Sequence, residues 1–92
     1  IHVSSEGEIN LEDNNLVEYP AALIYNTIYC PRLNLKRNKI KFINKSFFNI
    51  LCYVSHFSLS ENLLESIESF SFRNLFKLKF LDLSLNFLHV LS

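Results

Sequence analysis

The residues of this chain that could do chemistry are few and scattered. His2, His56 and His89 share no metal-ligand spacing, and Cys30 and Cys52 lack the Cys-x-x-Cys spacing of a zinc site. The single glycine, Gly7, cannot build a loop that cradles phosphate. Glu61, Glu65 and Glu68 have helix-like spacing, but they fall on a turn and an outer face, where solvated surface accounts for them. No catalytic constellation emerges, so the chain is expected to be no enzyme and to need no cofactor or metal. What remains is electrostatic chemistry. Glu8, Glu12 and Asp13 are followed 24 residues later by Arg32, Lys36 and Arg37, and Arg37 in turn by Glu61. Rows of opposite charge can orient a partner. Alternatively they form lateral ion pairs that keep a sheet face soluble and contribute only about 0–1 kcal/mol each.

The interval that sets those rows is the chain's main regularity. Asn14, Asn38, Asn62 and Asn86 lie 24 residues apart, each inside an apolar-x-apolar-x-x-Asn-x-apolar phrase. The columns around them are nearly all apolar: Tyr19, Ile43, Ile67 and Leu91; Ile24, Phe48 and Phe72; Thr27, Leu51 and Leu75; Cys30, Val54 and Leu78. A fixed period of this length means one supersecondary unit stacked on itself. The expected class is an α/β repeat solenoid.

Period-two alternation predicts strands at Arg32–Lys36, His56–Ser60 and Phe80–Ser84. Leu33 and Leu35 then point inward. The opposite, solvent-facing set is Glu8, Asn10, Glu12 and Asp13; Arg32, Asn34, Lys36 and Arg37; His56, Ser58, Ser60 and Glu61; and Phe80, Asp82, Ser84 and Leu85. One strand per unit, all in the same direction, gives a parallel sheet on one side and irregular backbone on the other. Each asparagine turns the chain away from its strand, and its amide can satisfy the backbone groups that the turn leaves unpaired. Asn14, Asn38, Asn62 and Asn86 are therefore expected to form a structural ladder. The return segments, such as Ser66–Phe76, read as extended backbone mixed with short helical turns.

Composition narrows the partners. The chain has 92 residues, no net charge and 49% hydrophobic residues, which bounds it to one small ordered domain. Neutral charge gives no reason to expect nucleic acid or an acidic membrane surface. The longest apolar stretch, around Phe47 to Val54, is far shorter than the ~20 residues of a membrane span, so this segment is expected to make no membrane contact of its own. The repeats read as about 6–29, 30–53, 54–77 and 78–92, within one segment spanning 1–92 and cut from a longer array. The strand at Phe80–Ser84 is an expected open edge that invites association.

These phrases resemble leucine-rich repeats of the 24-residue class common in extracellular animal proteins. Leu78, Leu81, Leu83, Asn86, Leu88 and Leu91 match the family pattern, as do Val54, Phe57, Leu59, Asn62, Leu64, Ile67, Phe72 and Leu75. Repeat one departs from it: Glu6 stands in place of the leading leucine, and "EYPAALIYNT" lacks the usual phenylalanine. That stretch is similar to the start of the first full repeat in Toll-like receptors, although their cap cysteines are missing here. The resemblance implies a right-handed horseshoe with the sheet on its concave face and mostly irregular backbone on its convex face.

It also implies a non-catalytic scaffold that binds a protein ligand or co-receptor on the concave face. The candidate ligand-binding residues are Arg32, Asn34, Lys36, Arg37, His56, Ser58, Ser60, Glu61, Phe80, Asp82, Ser84 and Leu85. The parent is expected to be a secreted or cell-surface receptor or adhesion protein, acting in signal transduction and open to dimerisation. A cytoplasmic adaptor or regulatory subunit is the alternative. Asn44-Lys45-Ser46 is a glycosylation acceptor, with Asn44 modified if the chain is secreted. Cys30 and Cys52 read as buried thiols acting as small hydrophobes. A bridge between them would cross adjacent coils with an offset and strain the ~7 Å limit between Cα atoms.

Overall fold

A computed structural model describes residues 4–5, 7–20, 31–43, 54–68 and 76–89. Six strands occur among them: β1 (Glu8–Asn10), β2 (Arg32–Asn34), β3 (Phe42–Ile43), β4 (His56–Ser58), β5 (Ser66–Ile67) and β6 (Phe80–Asp82). β1, β2, β4 and β6 form one parallel sheet in that order, and β3 and β5 form a second, two-stranded parallel sheet. Each strand of the main sheet opens one coil, called here coils one to four. No helix occurs among the described residues.

The register is an unbroken 24-residue step. Glu8 faces Arg32, Arg32 faces His56, and His56 faces Phe80. The centre residues Ile9, Leu33, Phe57 and Leu81 align behind them. The inward side chains therefore stack in columns. Ile9, Leu33, Leu35, Ile40, Ile43, Val54, Phe57, Leu59 and Leu64 are fully buried, with Tyr19 beside them. Burial is most complete in coils two and three, which have a described coil on each side. Leu11 and Leu16 of coil one and Leu81 and Leu83 of coil four are only partly covered.

The strands are shorter than the alternation predicts: three residues each rather than five. The cause is a change of hydrogen-bond partner. Beyond the third residue every second bond of the ladder persists, as in Leu35 N–H to Ser58 O (2.9 Å) and Arg37 N–H to Ser60 O (3.0 Å). The intervening N–H turns to a side chain instead: Lys36 donates to Asn34 Oδ1 at 2.9 Å and Ser84 to Asp82 Oδ1 at 3.0 Å. The second sheet was not foreseen. There Phe42 pairs with Ser66 and Ile43 with Ile67, so the start of the return half also stacks in register.

The columns at Ile24, Phe48 and Phe72, at Thr27, Leu51 and Leu75, and at Leu91 lie outside the described residues, as do Glu6, His2, Asn44, Cys30 and Cys52.

Candidate interaction surface on the sheet face

Side chains alternate across a strand, so whatever the core does not take, the other face presents. On that face lies an open groove of about 290 Å³. Eight of the predicted ligand-binding residues line it: Arg32, Asn34, Lys36, His56, Ser58, Ser60, Phe80 and Asp82, together with Glu8 and Glu12. The other four, Arg37, Glu61, Ser84 and Leu85, are not part of its lining.

The row Asn10, Asn34, Ser58 and Asp82 has a role that sequence reading missed. Each side chain reaches the backbone N–H two residues ahead. The distances are 2.9 Å from Glu12, 2.9 Å from Lys36, 3.5 Å from Ser60 and 3.0 Å from Ser84. Short polar side chains favour this local turn. The signal was present: four such residues recur at the repeat interval. Asp82 also accepts the Ser84 hydroxyl at 2.6 Å. These two bonds from Ser84 hold the Asp82 carboxyl below its ordinary pKa.

A second recurring feature is backbone handedness. Asp13, Arg37, Glu61 and Leu85 all adopt φ of +55 to +60°, each immediately before a ladder asparagine. The left-handed region is costly for residues with a Cβ. It ends the strand alternation and changes which charges meet. The expected pairs are Glu8 with Arg32, Glu12 with Lys36, Asp13 with Arg37 and Arg37 with Glu61. Arg37 does meet Glu61 (Nε to Oε2, 3.2 Å), but its Nη1 reaches Glu12 at 3.2 Å, and Lys36 lies 3.6 Å from Glu61. Arg37 thus spans three coils. Glu12 is held further by Asn34 Nδ2 at 3.2 Å.

Ser60 corrects the expected face in another way. It is only 2% exposed, at the floor of the groove, where its hydroxyl lies 3.4 Å from that of Ser58. Its short side chain lies too low to reach a partner as Lys36 or Phe80 can. Phe80 is half exposed, and the His56 ring tilts against it at a centroid distance of 6.1 Å. His56 Nδ1 lies 2.9 Å from Ser55 Oγ, which itself donates to Pro31 O at 3.1 Å.

Asn38, Asn62 and Asn86 bond to the backbone of the preceding coil as well as to that of their own turn. Asn38 accepts from the N–H groups of Asn14 and Leu16 and donates to Leu11 O, all in the preceding coil, and also to Leu35 O in its own turn. Asn62 accepts from Ile40 and donates to Leu35 O; Asn86 accepts from Leu64 and donates to Leu59 O. Asn14 is the exception. With no described coil before it, it is exposed, and its side-chain amide donates to Glu12 O within its own turn.

Among the described residues no group of three or more histidine, cysteine or acidic side chains could hold a metal, and no helix is long and apolar enough to cross a membrane. A family profile described as "Leucine rich repeat" matches residues 31–88, more than half of the chain. No curated protein matches it.

Proposed function

The chain belongs to the leucine-rich repeat family, whose repeats generally serve protein interaction without catalysis, and we propose from this that its sheet face is a preset docking surface for a protein ligand. The observation that carries the reading is the fixing of polar groups before any partner arrives. Glu12 is held by Arg37 and Asn34, Glu61 by Lys36 and Arg37, and Asp82 by Ser84. Fixing side chains in advance lowers the ordering cost of association. His56 and Phe80 add the aromatic anchor such interfaces favour.

Four strands about 4.8 Å apart span only ~15 Å, so the groove is the centre of a larger contact rather than its whole. A standard interface takes roughly 800 Å² from each partner. The finer reading is a secreted or cell-surface receptor or adhesion protein, supported by the Asn44-Lys45-Ser46 acceptor. A cytoplasmic adaptor is the alternative.

Two experiments test these levels separately. Partners captured on the immobilised chain should be lost with Lys36→Glu combined with Phe80→Ala, and kept with Lys41→Glu beside the second sheet. Equal retention by both variants would remove the docking role of the groove. For the compartment, glycosidase treatment of chain made in secreting cells should lower its mass. An unchanged mass would favour the cytoplasmic alternative.

A further inference from the structure

The groove dips at coil three. There the side chains are the short Ser58 and Ser60, between Arg32 and Lys36 on coil two and Phe80 and Asp82 on coil four. Coil three has a described coil on each side, so both walls of this recess are in the structure.

Two hydrogen-bond donors at the recess are engaged loosely. Lys36 Nζ lies 3.6 Å from Glu61 Oε2, beyond hydrogen-bond reach, and that oxygen already accepts from Arg37 Nε at 3.2 Å. Among the described residues no acceptor lies within hydrogen-bond distance of this ammonium group, which has three hydrogens to give. Ser58 shows the same looseness. Asn10, Asn34 and Asp82 hold the N–H two residues ahead at 2.9, 2.9 and 3.0 Å, whereas Ser58 lies 3.5 Å from that of Ser60. As a donor, its hydroxyl has among the described residues only Ser60 Oγ, 3.4 Å away. The carboxylates nearby are held elsewhere: Glu12 by Arg37 and Asn34, and Asp82 Oδ1 by both bonds from Ser84.

We propose that the recess seats one acidic side chain of the protein ligand, an aspartate or glutamate, with its carboxylate against Lys36 Nζ and the Ser58 hydroxyl. This seat lies within the docking surface proposed above and rests on that reading. Two loosely held donors call for an acceptor, and a carboxylate gives the stronger, charge-assisted bond to lysine. A basic side chain would meet Lys36 and Arg32 at like charge. Asp82 on the opposite wall repels a second acid, which limits the seat to one. Sites for free small molecules run to about 300–1,000 Å³. An open groove of about 290 Å³ suits a single side chain carried on a larger surface.

The test selects random dodecapeptides displayed on phage against the immobilised 92-residue chain. Selected clones should carry aspartate or glutamate at one fixed position. In the synthetic peptide, changing that residue to asparagine or glutamine should weaken binding about tenfold. Lys36→Gln in the chain should weaken it equally, and in that variant the peptide change should have no further effect. A general loss of structure would not produce this coupling. Asp82→Asn puts in coil four the residue that coils one and two carry in that row, and it should tighten binding by removing a repelling charge. The inference is overturned by clones that are lost with Lys36→Glu combined with Phe80→Ala yet carry no acid, or by peptides that bind more tightly to Lys36→Gln. In either case the docking role of the groove stands with a different chemistry. Clones indifferent to the double variant, or a selection that yields none, overturn both.

Discussion

Replacing Asn62 by alanine isolates what one rung of the ladder contributes. Asn62 is 3% exposed, and its Nδ2 donates to Leu35 O at 2.9 Å, Leu59 O at 3.0 Å and Ser60 O at 3.3 Å. Each of those carbonyls keeps another donor after the change. Leu35 O retains Asn38 Nδ2, Leu59 O retains Asn86 Nδ2, and Ser60 O retains Arg37 N–H. The loss therefore falls on Ile40 N–H, which donates to Asn62 Oδ1 at 3.1 Å and lies in a fully buried residue. One buried donor left unsatisfied costs about 1–3 kcal/mol, and the weakened carbonyl bonds add to it, so about 2–3 kcal/mol is expected. In a domain of this size each kcal/mol moves Tm by roughly 4–8 °C, which places the shift near 10–20 °C. Urea unfolding followed by circular dichroism should show a lower midpoint with an unchanged m-value. Asn14→Ala is the matched control: the same residue type in the same column, exposed, with an expected loss of at most about 0.5 kcal/mol, as for surface substitutions in general. If the two variants lose equal stability, the rung-by-rung reasoning is wrong.

Three further outcomes follow from the same geometry. Leu85 holds φ at +57° while 72% exposed, so Leu85→Asn should relieve backbone strain at little cost in burial and raise stability by about 0.5–1 kcal/mol in thermal melts. Gly7 has φ +77°, and an added Cβ would meet Pro31 Cδ and Cγ at 2.9 Å, so Gly7→Ala should lose about 1–2 kcal/mol or more by urea titration. The Asp82 carboxyl is held low by Ser84, so Ser84→Ala should raise its pKa in an NMR titration. Because the folded value is the lower one, its stabilisation is present above the ordinary carboxylate pKa and fades as pH falls through the depressed value.

The ladder and the inward columns were legible because burial repeats even where identity does not. Ile43 and Tyr19 share a column and are both buried, although one is aliphatic and the other a phenol whose pKa burial pushes up. Spacing alone could not show that Asn14 differs from Asn62. Among the described residues Asn62 has a coil on each side, whereas Asn14 has one on its later side alone. The charged face was legible as a set of residues, less so as a set of pairs. Alternation places Arg37 beside Asp13, but the left-handed backbone at both positions breaks the alternation, and Arg37 reaches Glu12. Asn34 and Asp82 were read as free to meet a ligand, yet each already holds its own backbone, because a short acceptor two residues before an unpaired N–H is a local solution independent of any partner.

The proposed docking places the partner on the groove face. Hydroxyl-radical footprinting of the captured complex tests it most directly, because it reads side-chain access on both sheets in one sample. Phe80 and His56 line the groove, while Phe42, 46% exposed on β3, serves as an internal reference on the second sheet. Partner binding should slow oxidation of Phe80 and His56 and leave Phe42 unchanged. Protection of Phe42 with Phe80 and His56 still reactive would contradict it.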